Sequence, residues 1–189
     1  MADQLPIFVL AGGKSRRFGS DKALADVRGE PAIKRLADLL RPFASQVIAV
    51  ADIADKYSAV GVNTIQDAER DLGPIGGLYT ALKHSWDVDW LMLVSCDWLY
   101  VRQDWIELLL RSASEGKHAV AFRGDYWEPL FALYHRSILP FVEKRIHSGQ
   151  LAMNRLLNSV ECAELAIPSD WPSVVQMNRE ADLQQFLEA

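Results

Sequence analysis

The chain has 189 residues, half of them hydrophobic and 24% charged, which is enough for one sizeable core in a soluble globular protein of a single domain, residues 1–189. A formal net charge of −5 argues against nucleic acid as the partner, because phosphate backbones are gathered by excess Lys and Arg. No window approaches ~18 uninterrupted apolar residues, no basic-then-apolar leader is visible after Met1, and Cys96 and Cys162 form no C-x-x-C pattern, so no membrane span, signal peptide, disulfide framework or zinc site is expected and the expected location is cytoplasmic.

In chain order, Ile7 to Leu10 reads as a first strand running into Ala11-Gly12-Gly13. Pro31 opens a helix whose Ile33, Leu36, Ala37, Leu39 and Leu40 fall on one face, with proline near the first turn, where its missing N–H costs least. Val47 to Val50 and Val62 to Ile65 are the second and third strands, and Pro74 begins a helix through Leu82. Trp90 to Val94 is a fourth strand, apolar throughout, as expected of one buried on both faces. Asp104 to Ser112 is helical, and His118 to Phe122 and Leu130 to Tyr134 are strands. Arg136 to His147 and Leu151 to Leu157 are helices, Val174 to Met177 a last strand, and a terminal helix starts at Arg179. This alternation predicts an α/β protein, a three-layer α/β/α sandwich around a Rossmann-like, mostly parallel sheet. In such folds ligands collect where strands end and loops lead into helices, which singles out the loops after Leu10, Ile65 and Val94.

The first of these loops, Ala11 to Lys22, is the most informative segment. Gly12 and Gly13 open backbone conformations closed to other residues, and successive N–H groups in such a turn form an anion-binding concavity. Arg16 and Arg17 add planar, bidentate contacts to phosphate oxygens, and Lys22 adds a compact charge. The pattern is neither a Walker A loop nor a G-x-G-x-x-G fingerprint. The fourth strand ends in Ser95-Cys96-Asp97, where a carboxylate meets the ligand crevice and suits Mg²⁺, which takes one or two carboxylates along with phosphates and water. A cap for the following helix is the competing role of Asp97, and Cys96 reads as a packing residue. Asp67 follows the third strand, ahead of Asp71-Leu-Gly-Pro-Ile-Gly-Gly77. Gly76 and Gly77 there permit close approach of a ligand or of a neighbouring strand. Turn capping is the competing role for Asp67 and Asp71. Asn178 offers a carbonyl oxygen to a metal or phosphate, or else a helix cap. His84, His118, His135 and His147 share no ligand spacing.

The run Leu10-Ala-Gly-Gly-Lys-Ser-Arg-Arg-Phe-Gly-Ser-Asp-Lys22 resembles the L-A-G-G-x-S-x-R-x-G-x-D-K signature of nucleotidyltransferases of the nucleotide-diphospho-sugar transferase type, and more narrowly that of the molybdenum cofactor guanylyltransferase (MobA) family. Glu128-Pro-Leu-Phe-Ala-Leu-Tyr134 is similar to that family's Q-P-L-F-A-L-Y strand on the acceptor side, and Gln176-Met-Asn178 to its N-x-N stretch. The resemblance implies GTP as donor, the molybdenum–molybdopterin cofactor as acceptor and Mg²⁺ as cofactor, together with cofactor-handling protein partners. It assigns the nucleotide to Leu10, Ala11, Gly12, Gly13, Arg17, Lys22, Asp67 and Asp97, catalysis to Asp97, Lys22 and Arg16, and the metal to Asp97 and Asn178. The chain departs from the family at Trp98-Leu99, where x-Pro follows the metal-binding Asp. Left open are a sister enzyme using CTP or a sugar or alditol phosphate, and a nucleotide-binding regulator without turnover.

Overall fold

The computed structural model describes residues 4–12, 21–69, 71–172 and 176–188. Strand β1 (Leu5–Leu10) alternates its side chains between two cores: Ile7 and Val9 on one face, Phe8 and Leu10 on the other. A two-residue hairpin follows, β2 (Asp26–Val27) with β3 (Glu30–Pro31). Arg28 and Gly29 turn it with φ of 58° and 90°, and Asp26 Oδ1 accepts from the Gly29 N–H at 2.8 Å. Helix α1 (Ala32–Leu40) then buries Ile33, Leu36, Ala37 and Leu40 against the face of Ile7 and Val9.

The chain continues through β4 (Ala44–Ala51), β5 (Thr64–Gln66), α2 (Pro74–His84), β6 (Trp90–Ser95) and α3 (Gln103–Ser112). It then runs through β7 (Ala119–Arg123), β8 (Trp127–His135), α4 (Leu139–His147), α5 (Met153–Leu157), β9 (Cys162–Ala166) and α6 (Glu180–Glu188). Seven strands form one sheet in the order β5-β4-β1-β6-β8-β7-β9, in which only β8 runs against its neighbours. Helices α1 and α3 cover one face and α2, α4 and α5 the other, which gives the three layers expected from the alternation.

Three sequence expectations change in detail. The third strand is Thr64–Gln66, because Val62 turns inward from a tight bend in which its N–H meets the Tyr57 carbonyl at 3.2 Å. Strand β9 was not anticipated: it is a half-exposed edge strand without β-branched residues. Of the last strand expected over Val174 to Met177, the described residues show an antiparallel bridge of Gln176 to Trp98; Val174 and Val175 lie outside the described residues.

The strand order places β4 on one side of β1 and β6 on the other. The chain therefore leaves β1 in one direction and returns to it from the other, and the carboxyl ends of β1, β4 and β6 flank a topological switch point.

Candidate active site

Backbone bonds carry the sheet one residue beyond its strands at this end. Ala11 N donates to Val50 O at 2.9 Å, Cys96 N to Leu10 O at 2.9 Å, and Asp67 N to Ala51 O at 2.7 Å. The loops that begin with Ala11, Asp67 and Cys96 thus leave side by side, and Leu10, Ala11, Gly12, Asp67 and Asp97 are brought to one edge. Gly13, Arg16 and Arg17 lie outside the described residues.

Lys22, on the short turn Lys22–Leu24, donates from Nζ to Asp97 Oδ2 at 2.7 Å, joining the end of the first loop to the end of β6. Asp97 is only 8% exposed, and its second oxygen, Oδ1, is buried without a hydrogen-bond partner among the described residues. A buried carboxylate oxygen left unmatched is costly and calls for a cation or a donor. Glu128, at the start of β8 beside the end of β6, has its carboxyl raised above the usual range, chiefly by burial and then by the negative charge of Asp97. Burial pushes the Cys96 thiol up to about 12, so it is a packing residue and no nucleophile at neutral pH, as its neighbours in the sequence suggested.

Among the described residues no three His, Cys, Asp or Glu side chains form a metal cage. The donors at hand are the orphaned oxygen of Asp97, with Glu128 close by and Asn178 one residue beyond Met177, whose N–H donates to the Asp97 carbonyl at 2.7 Å. Such a sparse, all-oxygen set fits Mg²⁺, which keeps most of its coordination for phosphate and water. Asn178 is exposed and does not cap α6 with its side chain. That role falls to Asp182, whose Oδ2 accepts from the N–H groups of Asn178 at 2.8 Å and Arg179 at 2.7 Å.

Where the x-Pro of the resembling family would stand, Trp98 and Leu99 are buried. The Trp98 ring packs on Phe131 with centroids 4.7 Å apart and meets Trp171 edge-on at 5.3 Å, while Leu99 joins Met177 and Leu183 in a third small core. The backbone after Asp97 is thus held by packing in place of a proline ring.

Asp67 Oδ1 accepts from Thr80 Oγ1 at 2.7 Å, and the same hydroxyl accepts from the Ala68 N–H at 2.9 Å, so this loop is tied to α2. A Cβ on Gly77 would stand 2.6 Å from Leu10 Cδ2, and one on Gly76 would stand 3.1 Å from the Glu69 carbonyl. The glycine pair is therefore explained by the close approach of α2 to β1 and to the loop after β5. Gly73, which starts the helix, has φ 66° and ψ −151°, a region essentially closed to other residues.

Two residues of this edge carried no signal in the sequence. The Tyr57 hydroxyl lies 3.0 Å from Asp21 Oδ2 and 3.2 Å from the carbonyl oxygen of Ala11, and Lys56 Nζ lies 3.0 Å from Asp21 Oδ2 and 2.8 Å from Asp52 Oδ1. Burial alone would lower the Lys56 ammonium pKa, but hydrogen bonds to Asp52 and Asp21 hold it above its usual range. Only the spatial return of the β4–β5 connection to the first loop brings these groups into place.

Comparison with known proteins agrees with this geometry. A family model described as the MobA-like NTP transferase domain matches residues 7–164. The molybdenum cofactor guanylyltransferase of Pseudomonas entomophila strain L48 is 33% identical over 177 residues, covering 87% of this chain and 92% of that protein. The probable molybdenum cofactor guanylyltransferase of Aquifex aeolicus strain VF5 is 29% identical over 181 residues, covering 95% of this chain and 89% of that protein. Among solved structures, a putative protein from Aquifex aeolicus VF5 matches with TM-score 0.77 at 28% identity, over 90% of each chain. Molybdopterin-guanine dinucleotide biosynthesis protein A from Archaeoglobus fulgidus matches with TM-score 0.83 over 97% of each chain and, at 23% identity, bears on the fold alone. A strand-end carboxylate paired with the lysine of the first loop, in a chain matched over most of its length, makes this protein a member of the MobA-like NTP transferase domain family.

Proposed function

We propose that this protein transfers GMP from GTP to the molybdenum–molybdopterin cofactor, releasing pyrophosphate and forming the guanine dinucleotide cofactor, with Mg²⁺ as its metal. The observation that carries this reading is the Lys22–Asp97 pair, whose second buried carboxylate oxygen has no partner among the described residues, at the end of the loop leaving β1. The names of the relatives supply the base and the acceptor.

The chemistry asks little of the protein beyond alignment and charge neutralisation. A phosphate monoester acceptor has a second pKa of about 6, so it is already mostly a dianion at pH 7 and needs no protein base. Lys22 turns its ammonium from Asp97 to the polyphosphate when nucleotide arrives. The backbone from Leu10 to Gly13, with Arg16 and Arg17, grips the phosphates, and Asp67 borders the nucleoside. Asp97, with Asn178 as the second candidate donor, holds the metal. Mg²⁺ held there would supply charge neutralisation for the phosphates. The acidic surface, the free Cys96 and Cys162 and the small anionic substrates support a cytoplasmic enzyme without nucleic acid as a partner, and cofactor-handling proteins are the natural carriers of so reactive an acceptor. Among the described residues no helix is long and apolar enough to cross a membrane.

Pyrophosphate release is the assay, with molybdopterin cofactor present and GTP compared with CTP. GTP should be preferred, and Asp97→Ala should lower kcat by at least about a hundredfold, the scale on which removing one preorganised electrostatic group is felt. A preference for CTP would reassign the donor, and full activity in Asp97→Ala would move the metal elsewhere.

A further inference from the structure

Residues 11 and 21 bracket the loop assigned to the triphosphate, and both meet the same atom, the Tyr57 hydroxyl. It lies 3.2 Å from the Ala11 carbonyl oxygen and 3.0 Å from Asp21 Oδ2. We infer that Tyr57 is a positioning residue, a clasp that sets the separation and orientation of the two ends of the phosphate-gripping loop. The inference rests on the nucleotide-binding reading of that loop.

The tyrosine is built to hold still. Its ring is 1% exposed within the core that also contains Ala11 and Ala23, one side chain from each end of the loop. Its backbone is pinned to β5: Tyr57 N donates to Thr64 Oγ1 at 3.2 Å, and the Tyr57 carbonyl accepts from the Val62 N–H at 3.2 Å. Asp21 is fixed from two further directions. Its Oδ1 accepts from the Ala23 N–H at 3.1 Å, capping the turn that carries Lys22, and its Oδ2 pairs with Lys56 at 3.0 Å. A shift of the phenol therefore moves Asp21, then the turn, then Lys22 and its 2.7 Å contact with Asp97. One hydroxyl proton is shared between the two acceptors, so a single group ties both ends of the loop. Lys56 pairs with the Asp21 carboxylate and holds it in place, and the chain Asp52–Lys56–Asp21–Tyr57 ties the residues that end the first loop to the β4–β5 connection.

Tyr57→Phe removes the hydroxyl and keeps the ring. The expected result is a rise of about tenfold in the KM for GTP, the scale of one hydrogen bond to a charged group, with kcat changed by less than about threefold. Asp21→Asn should raise KM in the same direction, and the double variant should be no worse than the poorer single one, since both cut the same link. Limited trypsin digestion of the ligand-free protein provides a readout that needs no nucleotide. Cleavage after Arg16 or Arg17 should be about tenfold faster in Tyr57→Phe than in the wild type, because the residues on either side of the segment are no longer tied to one hydroxyl. Equal KM and equal cleavage in Tyr57→Phe and wild type would overturn the clasp, as would additive effects in the double variant. Wild-type protein that binds neither GTP nor CTP in the presence of Mg²⁺ would overturn the functional reading instead, and the digestion would still decide the clasp.

Discussion

At the scale of single residues, the described part of the site sets the Lys22 ammonium directly against the Asp97 carboxylate. Lys22 pairs with Asp97 through Oδ2, while Oδ1 has no hydrogen-bond partner among the described residues. The same lysine is thus a competitor of any cation for Asp97 and a partner of any phosphate. The two roles predict opposite signs for Lys22→Ala. Metal affinity of the free protein should rise several-fold, because the competing cation is gone, while GTP affinity should fall by about tenfold or more with the loss of a charge-assisted contact. Calorimetric titration with Mg²⁺ alone and then with GTP in excess Mg²⁺ measures both. A fall in both affinities would mean that Lys22 orders the site without competing for it.

At the scale of elements, the packing of α2 on β1 decides how close the loop after β5 comes to the first loop. Gly77→Ala would drive a Cβ to 2.6 Å from Leu10 Cδ2, and Leu10 is itself buried, so the leucine or the helix must shift. Overpacking of this kind costs about 1–3 kcal/mol and is only partly offset by alanine's better helix propensity, about 1 kcal/mol. Thermal unfolding should show a Tm lower by up to about 8 °C, and the same glycine change should cost less when made in a Leu10→Ala background. An unchanged Tm would remove packing as the reason for this glycine. The same elements explain what could be read from the chain before its fold was known. Strands buried on both faces, such as Trp90–Ser95, announce themselves as apolar runs, and α1 and α3 announce themselves by an apolar face. Edge strand β9 and the hairpin of β2 with β3 do not, because half-exposed or two-residue strands need no apolar pattern. Asp97 and Lys22 were legible because a carboxylate ending a buried strand and a lysine closing a glycine-rich loop have few structural uses. Tyr57 was not, since its partners lie 46 and 36 residues away along the chain and no local spacing marks such a contact.

At the scale of the whole molecule, the candidate site is where distant parts of the chain meet. The first loop, the segment after β5, the end of β6 and the Gln176–Met177 segment leading into α6 all converge there, the last through the Trp98–Gln176 bridge and the Met177–Asp97 bond. A ligand seated among them binds the folded chain and has no counterpart in the unfolded one. It should therefore raise global stability by mass action, about 2.7 kcal/mol at a hundred times its dissociation constant. For a chain of this size that amounts to a Tm about 5–11 °C higher. Under the proposed role of Lys22, in which the phosphates draw it off Asp97, Mg²⁺ alone should shift Tm little, GTP without metal somewhat more, and the two together more than the sum of their separate effects. Differential scanning calorimetry across that grid of conditions is the check. Strictly additive shifts would mean that metal and nucleotide occupy independent places, and the coupling of Lys22, Asp97 and triphosphate in one site would then be wrong.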